Sequence, residues 1–296
     1  MSSCTLHIYP GYEQPGSALA KLLGCDSRVV ALHTFPDGES RIRVGTTNKT
    51  ALVYVSLDHP NDKLVNLIFT AQALRDMGAM RIVLICPYLC YMRQDKAFHS
   101  GEAVSQHVIG ALLPQFFHRI ITVDPHLHRV SFLGDIFPTI EADALSATGP
   151  IAETIKGEAT FNDALLVGPD SESEQWLAAV SERTGLDYII AAKKRGGDRD
   201  VVVTIANSGR VHGRPAIIVD DIVSSGMTMR RSANLLLESG ASGVEVIAVH
   251  ALCSDDDQKL MTASGISRLR SCNSVLHATN AIDLTPLIAE ALKKEL

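Results

Sequence analysis

No run of apolar residues in this chain is long enough to cross a bilayer, which removes a membrane-spanning helix from the expected architecture. A basic excess is missing too. Lys and Arg number 27 against 33 Asp and Glu, for a net charge of −6. That balance excludes a broad nucleic-acid or anionic-membrane surface and leaves room only for a small local basic pocket. The first residues, Met1 to His7, lack a basic n-region and an apolar h-region, so no secretory signal is expected and the protein is placed in the cytoplasm. Cysteines are few, six in 296 residues, and scattered. Cys86 and Cys90 stand four apart around Pro87, but no second pair completes a zinc set, and reduced, buried thiols are the expectation. Aromatic residues are scarce at 5%, while the apolar fraction of 46% is ordinary for a soluble globular protein.

What is present is alternation. Apolar runs read as strands at 51–57, 81–85, 119–123, 164–167, 188–191, 215–219 and 244–249. Between them, helical periodicity reads at 62–77, 102–113, 173–183 and 227–239, and a last helix at 284–296. Continuous apolar strands alternating with helices indicate an α/β fold of mainly parallel sheets covered on both faces. The length fits one large domain or two ordinary ones. In both halves a buried strand runs into an acidic turn, Val123-Asp124-Pro125-His126 and Val219-Asp220-Asp221. The small, polar stretch 140–148 is the expected boundary, giving domains 1–143 and 144–296, with the final helix free to pack back on the first.

The most informative run is Ile218 to Thr228. An apolar strand ends in the carboxylates Asp220 and Asp221, then Ser224, Ser225, Gly226, Met227 and Thr228 form a turn into an amphipathic helix. Backbone N–H groups at a helix N-terminus, with Ser and Thr hydroxyls, hold phosphate. The carboxylates repel phosphate but bind sugar hydroxyls or a hard cation. The run therefore points to a sugar phosphate with Mg²⁺ nearby.

Four further segments leave alternatives open. Phe35-Pro36-Asp37-Gly38-Glu39 is an ordinary turn signature or a purine site, with Phe35 stacking and Asp37 or Glu39 accepting from an exocyclic amine. The run Pro87 to Lys96 is a solvated loop with an Arg–Asp pair, or a phosphate clamp through Arg93 and Lys96. Asp124-Pro125-His126-Leu127-His128 stands at a strand mouth, where a His beside an Asp can ligate metal, and Asp170 ends a strand at the matching place in the second half. The basic, glycine-containing run 192–200 is a solvated hairpin or a mobile flap that brings cations over a phosphoryl group.

Taken in order, these motifs resemble the ribose-phosphate diphosphokinases, or phosphoribosyl pyrophosphate synthetases, over nearly the whole chain. The landmarks are 35–39, Pro87-Tyr88 with 91–95, Asp124-Pro125-His126, Pro169-Asp170, Lys193-Lys194-Arg195, Asp220 to Thr228, and His250. The resemblance implies two phosphoribosyltransferase-type domains. It also implies transfer of the β,γ-diphosphoryl group of ATP to the C1 hydroxyl of ribose 5-phosphate. On that basis Phe35, Asp37, Gly38 and Glu39 contact adenine in a neighbouring subunit's site, making a homodimer the minimum assembly. Arg93, Gln94 and Asp95 hold ATP, and His126 and Asp170 ligate one or two Mg²⁺ ions. Lys193 and Arg195 are catalytic cations. Asp220 and Asp221 bind the ribose hydroxyls, and Ser224 to Thr228 the 5-phosphate.

Three segments depart from the usual pattern and resemble a divergent or archaeal-like branch. Ser171-Glu172-Ser173-Glu174-Gln175-Trp176 replaces small residues and glycines, and Ser224-Ser225-Gly226-Met227 stands where many members have Asp-Thr-Gly-Gly. The 41–50 loop, with Arg41 and Arg43 alone, lacks the arginine-rich look of the regulatory loop in the phosphate-regulated members. Two other readings stay in view. A phosphoribosyltransferase explains the second half but leaves the motifs of the first unexplained. A catalytically silent paralogue is opposed by the retained Lys193, Arg195, His126 and Asp170.

Overall fold

A computed structural model of the chain describes residues 3–195, 201–205 and 208–296, with side chains for 3–191 and 209–296. It divides into two compact units. The first holds 1–145, 274–276 and 284–296; the second holds 146–273 and 277–283. Among the described residues no helix is long and apolar enough to cross a membrane.

The first unit contains strands β1 (Cys4–Ile8), β2 (Asp26–Val29), β3 (Ala31–Thr34), β4 (Ser40–Arg43), β5 (Thr50–Tyr54), β6 (Arg81–Ile85), β7 (Arg119–Val123) and β8 (Glu141–Leu145). Its helices are α1 (Glu13–Leu23), α2 (Pro60–Asp76), α3 (Ser105–Leu112), α4 (Leu133–Ile136) and the C-terminal Thr285–Leu292. Six strands form one wholly parallel sheet in the order β2-β1-β5-β6-β7-β8. The other two, β3 and β4, form a separate antiparallel hairpin.

The second unit contains helices α5 (Thr148–Lys156), α6 (Glu174–Thr184), α7 (Met227–Glu238) and α8 (Asp255–Ala263). Its strands are β9 (Leu165–Gly168), β10 (Tyr188–Arg195), β11 (Val201–Ile205), β12 (Pro215–Val223), β13 (Gly243–Ala251), β14 (Ile266–Cys272) and β15 (Asn280–Ile282). They lie in the order β11-β10-β9-β12-β13-β14-β15, parallel except for β11.

Set β11 aside and both sheets have one topology: second strand, first, third, fourth, fifth, sixth. The strand order reverses between β1 and β5 and again between β9 and β12. In open α/β sheets ligands bind at such reversals, beyond the carboxyl ends of the strands. Both units also insert antiparallel structure between their second and third sheet strands: the β3–β4 hairpin in one, β11 on β10 in the other.

Several boundaries differ from the sequence reading. β12 does not stop before the carboxylates. It runs to Val223 because β13 matches its full length, pairing Asp220 with Ala248 and Ile222 with His250. The 102–113 helix begins only at Ser105. Glu102 is engaged beforehand, its carboxylate accepting from the Phe98 and His99 amides at 2.7 and 3.1 Å. The polar stretch 140–148 is ordered structure: it contains β8, which lies at the sheet edge and pairs with β7 alone. The division between units falls after Leu145.

The last helix, α9 (Thr285–Leu292), packs with α1 in the first unit, and a 3₁₀ turn, Lys293–Glu295, follows. There the buried Glu295 accepts from Arg81 at 2.7 Å and from the buried Arg119 at 3.0 Å. Burial works against ionisation of Glu295, but the two arginines hold its carboxyl below the usual range. All six cysteines are free thiols. Burial pushes the Cys90 thiol up to about 12 and Cys86 well above its ordinary value, so neither is poised to react.

Candidate functional site

The turn after β12 is built by one glycine. Gly226 caps α7 with φ +66°, in the left-handed region that a side chain disfavours. A Cβ there would also stand 2.6 Å from Sδ and 2.8 Å from Cγ of the buried Met261 on α8. Both the backbone conformation and the close approach of Met261 therefore call for glycine where β12 gives way to α7. A helix leaves its first N–H groups without intrahelical acceptors, and this cap supplies no side-chain acceptor for them. Ser225 and Met227 are exposed, Ser224 and Thr228 half-buried. Helix amides, hydroxyls and the positive end of a helix are groups that can hold a phosphate. Asp220 is half-buried and Asp221 buried on β12, with the Asp221 amide donating to Asp220 Oδ1 at 3.1 Å.

Across the same strand reversal lies Asp170, following β9. Gly168 closes that approach: a Cβ on it would meet Ser173 Oγ at 2.2 Å and Leu177 Cδ1 at 2.4 Å. Asp170 caps the 3₁₀ turn Ser171–Ser173 by accepting from the Glu172 amide at 3.1 Å, while Ser173 Oγ donates to the Asp170 carbonyl at 2.6 Å. Glu172 and Glu174, the added carboxylates of this segment, are exposed. Lys193 and Arg195 lie on β10, in antiparallel register with Val203 and Val201; their side chains, and residues 196–200 of the expected flap, lie outside the described residues.

In the first unit the turn after β5 is filled by the chain itself. Asp58 accepts from Tyr12 Oη and from Lys63 Nζ, each at 2.7 Å, and Lys63 also donates to the Ser56 carbonyl at 3.0 Å. Burial first, then the Asp58 charge, raises the Tyr12 hydroxyl above its usual range and keeps it a donor. Ser56 Oγ donates to the Ser274 carbonyl. Where the second unit has an uncapped helix start and hydroxyls, the first presents a carboxylate already paired with its own cation.

The first unit's expected contacts are elsewhere. Phe35, Asp37, Gly38 and Glu39 form the exposed tip of the β3–β4 hairpin. The tip is closed by Phe35 N to Glu39 O at 2.7 Å, with Gly38 at φ +92° and Asp37 Oδ1 accepting from the Glu39 amide. Phe35 meets His33 edge-on at 4.8 Å and lies 5.9 Å under the Arg41 guanidinium, leaving it 38% exposed. Asp37 therefore shapes the turn, and the ring is presented outward.

Arg93 is exposed and makes no ion pair among the described residues. The Arg–Asp pairing weighed for this loop forms with a different arginine: Asp95 binds Arg129 Nη1 at 2.5 and 2.6 Å. Gln94 is half-buried, and its carbonyl accepts from the Gln106 amide at 3.3 Å.

His126 follows β7 with φ +56°, two residues after Asp124 at φ +36°. The ring of His126 meets that of His128, to which the sequence pattern assigns no role. The signal available was the His-x-His spacing; what brings the rings together is the left-handed backbone, which the sequence did not reveal.

Residues 12–116 match the family described as the N-terminal domain of ribose phosphate pyrophosphokinase, and residues 141–286 match the phosphoribosyl transferase domain. The ribose-phosphate pyrophosphokinase of Methanopyrus kandleri is 30% identical, over 94% of this chain and 94% of its own length. That of Methanobrevibacter smithii is 32% identical, over 93% of this chain and 95% of its own. The crystal structure of phosphoribosylpyrophosphate synthetase from Mycobacterium smegmatis superposes with a TM-score of 0.82 at 22% identity, covering 98% of this chain and 97% of that one. At that identity the likeness speaks to the fold.

Proposed function

The chain belongs to the ribose-phosphate pyrophosphokinase family, and from that premise we infer that it transfers the β,γ-diphosphoryl group of ATP to the C1 hydroxyl of ribose 5-phosphate. The products are 5-phosphoribosyl 1-diphosphate and AMP, material for nucleotide synthesis. The observation that carries the acceptor assignment is the turn at Gly226: a helix start with no side-chain cap, and hydroxyl residues, following Asp220 and Asp221 at a strand-order reversal. A phosphoribosyltransferase would need only the second unit, whereas the relatives align across both.

The 5-phosphate is assigned to Ser224, Ser225, Gly226, Met227 and Thr228, and the ribose hydroxyls to Asp220 and Asp221. Phe35, Asp37, Gly38 and Glu39 are assigned to the adenine of a neighbouring copy, which requires at least a homodimer; the outward hairpin tip supports this. Arg93, with its uncommitted charge, and Gln94 are assigned to ATP, while Asp95 serves by holding Arg129. The carboxylates of Asp170, Asp220 and Asp221 are a donor set that fits a hard cation, and His126 and Asp170 are the proposed ligands of one or two Mg²⁺ ions. When bound, Mg²⁺ neutralises phosphate charge. Lys193 and Arg195 supply fixed positive charge as negative charge shifts onto the departing AMP. In the step itself the C1 oxygen attacks the β-phosphorus and the bridge to the α-phosphate breaks. The protein contributes positioning and electrostatics rather than a covalent intermediate. Six free cysteines fit a reducing cytoplasm.

The test is incubation with Mg-ATP and ribose 5-phosphate. AMP forms only when both are present; no AMP across a range of metal and phosphate concentrations would sink the assignment.

A further inference from the structure

Asp95 and Arg129 join two loops 34 residues apart in sequence. Both Asp95 oxygens, Oδ1 at 2.6 Å and Oδ2 at 2.5 Å, accept from the one nitrogen Nη1 of Arg129. The Asp95 side chain is only 8% exposed and that of Arg129 52%, so the carboxylate is covered and its charge is met by this guanidinium. The next cation along, Lys96, lies over the Phe98 ring, 4.9 Å from its centroid. The loop does not need the ion pair to hold its course. The Ser105 hydroxyl donates to the Tyr91 carbonyl at 3.1 Å, and the Gln106 amide donates to the Gln94 carbonyl at 3.3 Å. The Tyr91 hydroxyl donates in turn to Asn61 Oδ1. A partly exposed ion pair adds little stability of its own. Its consequence here is electrostatic.

Arg93 stands between the tied points, exposed and without an ion pair among the described residues. Asp95 is the carboxylate nearest to it in sequence. Two residues of chain span at most about 7 Å, which is within one Debye length of roughly 8–10 Å at ordinary salt. An uncompensated carboxylate there would attract the Arg93 guanidinium and repel an incoming triphosphate. We propose that Arg129 is a positioning residue for the ATP site: by engaging Asp95 it keeps that carboxylate off Arg93 and leaves the Arg93 guanidinium available to the polyphosphate. The inference rests on the assignment of Arg93 to ATP and adds the residue that keeps Arg93 available. Because both oxygens share one nitrogen, the pairing does not use the guanidinium fork, and a lysine ammonium can take its place.

The experiment measures AMP formation by the full-length protein against Mg-ATP concentration, at saturating ribose 5-phosphate and at low and high salt. It compares wild type with Arg93→Ala, Arg129→Ala, Arg129→Lys and the double variant Arg129→Ala/Asp95→Asn, each checked for fold by circular dichroism. Arg129→Ala should raise KM for ATP roughly five- to tenfold, with a smaller change in kcat. Added salt should narrow that gap, because the competing charge is screened. Arg129→Lys should keep most of the ATP affinity. Adding Asp95→Asn to Arg129→Ala should recover most of the loss, since it removes the carboxylate that competes for Arg93. A purely structural ion pair gives the opposite result, because the double variant has still lost the contact. If neither Arg129→Lys nor the added Asp95→Asn restores KM, or if Arg129→Ala leaves KM for ATP unchanged, the proposal is overturned. Where Arg93→Ala raises KM for ATP in the same series, the assignment of Arg93 survives that result. If Arg93→Ala leaves KM for ATP unchanged, the assignment of Arg93 fails and the proposal fails with it.

Discussion

Replacing Gly226 by alanine tests the acceptor turn at its narrowest point. Alanine at φ +66° carries the left-handed penalty, roughly 1–2 kcal/mol. Its Cβ would also press on Met261, 2.6 Å from Sδ, in a residue only 1% exposed. Overpacking costs about 1–3 kcal/mol. Methionine is pliable, so the low end applies. The sum is about 2–3 kcal/mol. Trp176, the chain's one tryptophan, lies on α6 of the same unit, so its fluorescence in urea reports that unit's unfolding directly. Relieving the packing part with Met261→Ala should reveal a coupling of about 1 kcal/mol in a double-mutant cycle. On the proposed assignment of the 5-phosphate to this turn, KM for ribose 5-phosphate should rise at least about tenfold, the equivalent of about 1.4 kcal/mol. A variant within about 0.5 kcal/mol of wild type, with KM unchanged, would refute both the strain and the seat.

Other perturbations probe separate parts. Lys193→Ala should lower kcat by about 10²–10³ with the fold intact; an unchanged kcat removes it from catalysis. Arg93→Ala should raise KM for ATP and leave KM for ribose 5-phosphate alone, and the reverse pattern in steady-state kinetics would contradict the division of sites. His7 is fully buried with neither ring nitrogen hydrogen-bonded among the described residues, and burial, then Arg28, lowers its pKa to about 4. Since the unfolded chain takes up this proton near pH 6.5, the neutral histidine's contribution is complete above 6.5 and is lost as pH falls towards 4, by about 3 kcal/mol. His7→Leu should flatten urea-unfolding stability over that window; a slope identical to wild type would show that His7 does not cause it.

The acceptor turn was legible because each level of its sequence agrees: apolar β12, small hydroxyl residues, a glycine cap and an amphipathic α7. β14 was not legible, because its Arg268 and Arg270 break an apolar run. Arg270 is nonetheless buried, paired with Glu158 at 2.5 Å and Glu245 at 3.1 Å, partners distant in sequence. The β3–β4 hairpin escaped for the opposite reason. All of β3 is exposed, so no burial alternation marks it and only its turn was readable. The shared strand order of the two units could not be read from pattern either, because their turns have diverged: a paired Asp58 in one, Gly226 in the other.

The most direct measurement is ³¹P NMR of the protein with Mg-ATP and ribose 5-phosphate. The account predicts a C1 diphosphate resonance growing one-for-one with AMP and no ADP. Growth of ADP, or ATP left intact, would contradict it.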